Sequence, residues 1–224
     1  MMISVVIPAY NEGERIASTV SALTQALSEV SEVIVVDDCS SDDTSEKAQA
    51  AGALVIPAPR RAGKGAALMQ GTLKCKGDIV VFLDADIGET ASEIPRLIEP
   101  IATGKADMTI ARFPELPHVG RKGLGFVKST AYWGVRQLCK SELGSILSGQ
   151  RAARRPTFLG LMPFAPGFGV EVGLTIDALR QGLRILEVDC EMAHRVTGWN
   201  LPGLSHRTRQ LYWVARAIAT RCVN

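Results

Sequence analysis

Polarity along the chain switches repeatedly between two periods. Ile3 to Ile7 is a short run of apolar and β-branched residues ending at Pro8. A run with little alternation predicts a strand buried on both faces, and proline is expected to stop it. Asn11 and Glu14 have the spacing of a capping box. Ile16, Val20, Leu23, Leu27 and Val30 then recur at helical period. Val33 to Val36 predicts a second strand that delivers Asp37 and Asp38. Ser40 and Asp43 are spaced as another capping box, and a helix is expected through Ala51. Leu54 to Ile56 predicts a third strand, Gly65 to Leu73 a short helix, and Ile79 to Leu83 a fourth strand ending at Asp84. Glu93 to Ile101 predicts a helix with Ile94, Leu97, Ile98 and Ile101 turned inward, and Met108 to Ala111 a further strand.

Strands alternating with helices over short connections predict an α/β domain with a mostly parallel central sheet flanked by helices. Its polar residues cluster just after the strands, at the edge where open α/β sheets bind ligands. The second half is less regular. Residues 112–123 mix Pro114, Pro117, Gly120 and Gly123 with charges and read as a loop. Leu124, Val127, Ala131, Val135 and Leu138 suit one helix. Leu147 to Arg155 reads as a polar, basic connector. Val170 to Gln181 predicts a helix with Gly182 beyond its end, Arg184 to Glu191 a loose strand, and Gly203 to Thr220 an amphipathic helix with Leu204, Leu211, Val214, Ala215 and Ile218 on one side. One domain, residues 1–224, is expected, with halves 1–111 and 112–224.

The formal net charge of +2 is too small to indicate a nucleic-acid partner. Arginines crowd the C-terminal part, at Arg195, Arg207, Arg209, Arg216 and Arg221, so a phosphate or a lipid headgroup competes there with a plain solvated face. Five dispersed cysteines without a CxxC pair argue against a disulfide framework and a cysteine zinc site. With no signal-peptide pattern at Ile3 and no apolar stretch of spanning length, a cytoplasmic location is expected, with peripheral contact at a membrane surface and a homodimer as candidate arrangements. Trp133, Trp199 and Trp213 read as core or interface residues.

Four groups of residues carry candidate chemistry. Val80 to Asp86 delivers two carboxylates, Asp84 and Asp86, at a strand end, where they suit Mg²⁺ or Mn²⁺, a sugar hydroxyl, or simply the cap of the next helix. Asp37 and Asp38 follow the second strand, where acidic residues hold ribose hydroxyls in other nucleotide sites. Pro8, Ala9, Tyr10, Asn11 and Glu12 follow the first. Arg61-Ala62-Gly63-Lys64-Gly65 places glycines and a cation before a helix, as phosphate binding requires, but Ala66 breaks the pattern of an ATP-binding loop.

In this order the stretches Val6 to Glu12, Ile34 to Thr44, Gly63 to Gly65 and Phe82 to Asp86 resemble those of the GT-A glycosyltransferases, specifically the family-2-like members. The resemblance is dense over residues 3–111. It implies a Rossmann-like GT-A fold, transfer of a sugar from a UDP- or GDP-sugar, and a Mg²⁺ or Mn²⁺ cofactor. It further implies that Pro8, Ala9 and Glu12 surround the nucleoside, that Asp38 contacts base or ribose, and that Lys64 lies near the phosphates. Asp84, Ala85 and Asp86 would form the donor-side DxD motif, Asp86 being the direct metal ligand. The second half looks like the glucosyl-3-phosphoglycerate synthase branch and the polyprenyl-phosphate sugar transferases. Leu147 to Ala152 resembles their acceptor-side loop, which implies acceptor binding by Gly149 and Arg151. Phe168 to Leu174 resembles a helix start whose acid, Glu171, sits beside a substrate sugar. His194 resembles the histidine that completes the metal site. Asp84, Glu171 and Arg151 are thus the expected catalytic residues, and a phosphorylated small molecule or a lipid phosphate the expected acceptor. Met192 departs from the arginine that phosphoglycerate-directed enzymes carry two residues before that histidine.

Two other classes compete. An aspartyl-phosphate phosphatase or mutase also uses a strand-end DxD, but near the N-terminus and followed by a different residue than Gly88. A non-catalytic nucleotide-sugar-binding protein would use the same carboxylates without turnover. No acid–acid pair suits an inverting general base, which points to retention.

Overall fold

In the computed structural model, which describes residues 1–26, 30–113, 125–192 and 201–222 without the side chains of 26 and 201–207, strand and helix alternate as the sequence periods require. The order is β1 (Ile3–Ala9), α1 (Ile16–Ala26), β2 (Val30–Asp37), α2 (Thr44–Ala50), β3 (Leu54–Pro57), α3 (Lys64–Lys74), β4 (Ile79–Phe82), α4 (Ile94–Ala102), β5 (Met108–Arg112), α5 (Gly125–Cys139), β6 (Arg151–Arg154), α6 (Arg155–Gly160), α7 (Val170–Arg180), β7 (Ile185–Asp189) and α8 (Leu201–Cys222). Short 3₁₀ turns precede α4 (Gly88–Glu93) and α7 (Gly167–Gly169).

The strands form one seven-stranded sheet in the order β3-β2-β1-β4-β6-β5-β7. Every neighbouring pair is parallel except those made by β6, which runs against both β4 and β5. Both faces are buried, and the pleat sorts the side chains. Val5, Ile7, Ile79 and Val81 enter one cluster with Ile16, Val20 and Leu23 of α1 and Ile94, Leu97, Ile98 and Ile101 of α4. Val6, Val80 and Phe82 enter another with Leu68 of α3, Phe158 of α6 and Leu174 of α7. A third cluster joins α5, α7 and α8 through Val127, Ala131, Val135, Val172, Ile176, Val214 and Ile218. The end of α7 is the expected glycine stop. Gly182 has φ +72°, its N–H bonds Leu179 O, and Leu183 N–H reaches back to Ala178 O at 3.0 Å.

Several expectations need correction. β1 runs through Pro8 to Ala9. Leu83 N–H bonds Val6 O, so the alternate residue Pro8 turns the same way, past the end of β4, where no ladder bond is lost. Neither capping box forms. Asn11 takes φ +54° and its side chain accepts Ser41 N–H at 2.8 Å, while Asn11 N–H donates to Ser40 Oγ at 2.9 Å. Asp42 accepts Gly13 N–H at 3.0 Å and Glu12 N–H donates to Thr44 Oγ1 at 2.8 Å. Parallel β1 and β2 end side by side, so Asn11 and Ser40 bond the neighbouring loop instead of their own helices, and Asp42 bonds both that loop and Thr44 N–H at the start of α2 (3.1 Å). Val30 opens β2 rather than continuing α1. Residues 147–155 are not a simple connector, because they contain β6. Its Arg-Ala-Ala-Arg sequence lacks an apolar run, yet Ala152 and Ala153 are small enough for both faces of a crowded sheet. Phe158 of the unanticipated α6 stacks on Phe82 with ring centroids 4.1 Å apart. On α8, Ala217 rather than Ala215 is buried. Trp133 is exposed. The loop expected at 112–123, together with Leu27, Leu124 and Trp199, lies wholly or mainly outside the described residues.

The start of the outer strands is tied by charge. Arg184 donates from its backbone N–H, Nε and Nη2 to the Asp107 carboxylate at 2.8–3.0 Å. These hydrogen bonds hold the Asp107 carboxyl down to about 2, below the usual aspartate range. A depressed carboxylate adds stability above its unfolded pKa and loses it as pH falls toward the folded one. Asp107→Asn should therefore lower the unfolding midpoint at neutral pH by the modest amount of a half-exposed pair, about 0.5–1 kcal/mol. The difference from wild type should vanish between about pH 4 and pH 2 in acid unfolding followed by circular dichroism. A deficit that persists unchanged to pH 2 would contradict it.

Candidate active site

Strand order brings the candidate residues together. β2, β1 and β4 are parallel neighbours, so their carboxyl ends lie on one sheet edge. Glu12 follows β1, Asp38 follows β2, and Asp84 and Asp86 follow β4. Because β6 is antiparallel, its beginning meets that same edge, with Arg151 opposite Phe82. Gly149 and Gln150 therefore stand beside Asp84. β5 and β7 also end there, with Cys190 N–H bonded to Arg112 O at 3.0 Å.

Lys64, the first residue of α3, is the centre of the site. Its Nζ lies 2.6 Å from Asp84 Oδ1 and 2.7 Å from Glu171 Oε1. Burial alone would lower the ammonium pKa, but the charges and hydrogen bonds of Asp84 and Glu171 outweigh it and hold Lys64 above the ordinary lysine value. The site thus keeps a permanent cation between two carboxylates. Gln150 Nε2 donates to Asp84 Oδ2 at 2.9 Å and fixes the carboxylate plane from the other side. Two glycines permit this convergence. A Cβ on Gly65 would lie 2.1 Å from Ala165 O, so only glycine lets the start of α3 approach the turn leading to Glu171. A Cβ on Gly149 would lie 2.6 Å from Lys64 Nζ and 2.7 Å from Asp84 Oδ2. Gly149 therefore leaves room for the Lys64–Asp84 pair.

The segment after β4 alternates like a strand. Leu83, Ala85 and Ile87 are buried in the core, and Asp84 and Asp86 between them are partly exposed. Asp86 makes no hydrogen bond or ion pair among the described residues. Carboxylate oxygens in this setting are the donors that Mg²⁺ and Mn²⁺ prefer. Among the described residues no group of three or more His, Cys, Asp or Glu side chains gathers around one point. His194, the expected closing ligand, lies outside the described residues.

Asp38 is buried, and its carboxylate accepts Ala62 N–H at 2.7 Å and Gly63 N–H at 2.8 Å, which clamps the loop before α3. Asp37 is likewise turned inward, accepting Ser40 N–H at 2.8 Å and the Ser45 hydroxyl. A cavity of about 330 Å³ adjoins Asp38, walled by Pro59, Arg60, Ala62, Met69 and Leu73. Pro8 and Ala9 end β1 next to β2, with Asp38 N–H bonded to Ala9 O at 2.8 Å.

Arg151 is the residue whose expected role changes. It is 1% exposed, and its guanidinium donates to Ser148 O (3.0 Å), Ile146 O (2.7 Å) and Thr175 Oγ1 (3.0 Å). Burial lowers its pKa to about 10 despite the Coulombic pull of Glu171, so it stays charged at neutral pH. Its donors face the protein interior, which removes it as an acceptor-phosphate ligand or a group at the reacting atoms; it braces the loop carrying Gly149 and Gln150. Gln150 is the site residue that motif reading missed. It lies within the acceptor-side stretch, but a neutral amide between glycine and arginine gives no periodic or charge signal.

With this geometry in place, comparison with known proteins is specific. The family model described as "Glycosyl transferase family 2" matches residues 4–141. The chain is 38% identical over 203 residues to glucosyl-3-phosphoglycerate synthase of Mycolicibacterium paratuberculosis, covering 81% of this chain and 61% of that protein. It thus spans about three fifths of the length of that curated relative. A dolichol-phosphate mannosyltransferase of Pyrococcus furiosus is 38% identical over 109 residues, 46% of this chain and 31% of that one. A crystal structure of the Mycobacterium tuberculosis glucosyl-3-phosphoglycerate synthase, in complex with Mn²⁺, UDP and glucosyl-3-phosphoglycerate, superposes with a TM-score of 0.82 at 35% identity, covering 99% of this chain and 80% of that one. The expected GT-A architecture agrees with these neighbours. The chain belongs to glycosyl transferase family 2.

Proposed function

We propose that this chain transfers a sugar from a UDP- or GDP-sugar to a phosphorylated small-molecule acceptor, in the manner of a glucosyl-3-phosphoglycerate synthase. The observation that carries the reading is the Asp84–Lys64–Glu171 cluster, with contacts of 2.6 and 2.7 Å, at the convergence of three parallel strand ends. The relatives support the substrate class: an M. tuberculosis homologue has been crystallised with Mn²⁺, UDP-glucose and phosphoglyceric acid.

Each residue has a definable task in this reaction. Asp38, Pro8, Ala9 and Glu12 border the nucleoside side of the edge. Lys64 offers a fixed positive charge to the donor phosphates and needs no proton rearrangement to do so. Asp84, oriented by Gln150 and Lys64, accepts a hydrogen bond from a donor-sugar hydroxyl. Asp86, with His194, would hold Mg²⁺ or Mn²⁺. When bound, that ion supplies positive charge to the diphosphate leaving group. Glu171 borders the sugar at the start of α7. The acceptor oxygen bonds to the anomeric carbon as the bond to the phosphate oxygen breaks, and the acceptor proton passes to the departing diphosphate.

A lipid-phosphate acceptor is the second reading, favoured by one surface feature. The outer helices α5 and α8 contain no Asp or Glu, and Phe126, Trp133 and Tyr212 on them are exposed. No described helix is long and apolar enough to cross a membrane. A donor panel of UDP- and GDP-sugars with Mn²⁺ or Mg²⁺, scored against 3-phosphoglycerate and polyprenyl phosphate, separates the two. Sugar transfer to 3-phosphoglycerate alone is expected. Transfer only to the polyprenyl phosphate would select the second reading, and no turnover with any donor would favour a binding protein.

A further inference from the structure

We propose that Thr19 is a positioning residue for Asp86, holding the metal-side loop in its working shape through a two-sided hydrogen bond from α1, the helix on which that loop packs. The inference rests on the metal-holding role proposed for Asp86. Thr19 lies on α1 and is fully buried. Its Oγ1 donates to Ala85 O at 2.8 Å and accepts Gly88 N–H at 2.9 Å. One hydroxyl thus grips the loop one residue before Asp86 and two residues after it. Gly88 takes φ +57° and opens the 3₁₀ turn, so the bond also sets where the loop bends. Asp84 is held independently by Lys64 and Gln150. Asp86 has no such brace of its own among the described residues. The placement of its carboxylate therefore follows the backbone on either side, which the core packing of Ala85 and Ile87 and the Thr90 hydroxyl on Ile87 O (2.6 Å) also hold. Within that backbone, among the described residues, Thr19 alone ties the residue before Asp86 to the bend at Gly88. A metal ligand misplaced by about 1 Å loses much of its effect.

The sequence hid this role. Thr19 sits among Ile16, Val20 and Leu23 on the inner face of α1, where a threonine in an apolar stripe looks like filler. Valine would match its shape and keep the packing, but would leave the buried Ala85 carbonyl and the part-buried Gly88 N–H without their partner.

Calorimetric titration of UDP, with Mn²⁺ and with EDTA, tests the proposal on wild type, Thr19→Val and Thr19→Ser, with GDP substituted if the donor panel selects it. Thr19→Val should lower affinity in Mn²⁺ about tenfold and leave affinity in EDTA unchanged, while Thr19→Ser should stay near wild type. A purely structural role would lower both affinities together, and that result, or a full Mn²⁺ response in Thr19→Val, overturns the proposal. A wild type that itself ignores Mn²⁺ is a different pattern. It overturns the metal role of Asp86 and takes this inference with it. Should Thr19→Val fail to fold, hydrogen exchange in the wild type decides: the Gly88 amide must be protected before any ligand is added, and rapid exchange there refutes the clamp.

Discussion

Asp86→Ala is expected to abolish the response of nucleotide-diphosphate binding to Mn²⁺ and to reduce sugar transfer by at least about a hundredfold, the scale on which a single electrostatic stabiliser of a leaving group acts. The fold should survive. Asp86 is partly exposed and makes no hydrogen bond or ion pair among the described residues, while its neighbours Ala85 and Ile87 are buried anchors. Removing the carboxylate therefore takes away a ligand and leaves the packing. His194→Ala should act in the same direction with a smaller effect, because water can fill a vacated coordination position. Titration of UDP with and without Mn²⁺, on wild type and both variants, provides the measurement, with circular dichroism confirming that each is folded. If Asp86→Ala keeps the full metal response, Asp84-Ala85-Asp86 is merely the entry to the following 3₁₀ turn.

Arg151→Ala should act on stability instead, by about 3–5 kcal/mol, the range for truncating a large buried side chain and orphaning its partners. The lost contacts are specific: Ser148 O, Ile146 O and Thr175 Oγ1 would each lose a donor in the interior. For a chain of this length the shift in the thermal midpoint should be roughly 10 °C. Arg154, at the other end of β6, is exposed, and Arg154→Ala should change stability by less than about 0.5 kcal/mol. Denaturant unfolding of the two variants makes the comparison. Should Arg151→Ala prove as stable as wild type and lose only its response to the acceptor, the guanidinium would have to reach substrate, against the burial described above.

The two arginines show why part of the site was legible and part was not. Both belong to one basic stretch, Arg151-Ala-Ala-Arg154, and linear sequence treats them alike. Their fates differ because β6 enters between β4 and β5, with the first arginine at the crowded active edge and the second at the far end. No local period announces that strand. Four residues, two of them alanine, produce neither an apolar run nor an alternation strong enough to read. The capping boxes failed for a related reason, since loop residues that could have capped their own helices found the neighbouring loop first.

What the sequence determined by itself was the set of buried strands and helices in the first half, and the fact that Glu12, Asp38, Asp84 and Asp86 all follow strands. Those features depend on neighbours within a few residues, where hydrophobic period and strand polarity act directly. Only the tertiary structure decided which charges meet. Gln150 reaches Asp84 across 66 residues of chain, and Lys64 finds Glu171 because Gly65 allows α3 against the turn before α7. Such pairings depend on strand order and on the close approach of distant backbones. A residue's own surroundings in the chain carry no record of either, so Arg151 reads as a substrate ligand until the sheet is assembled around it.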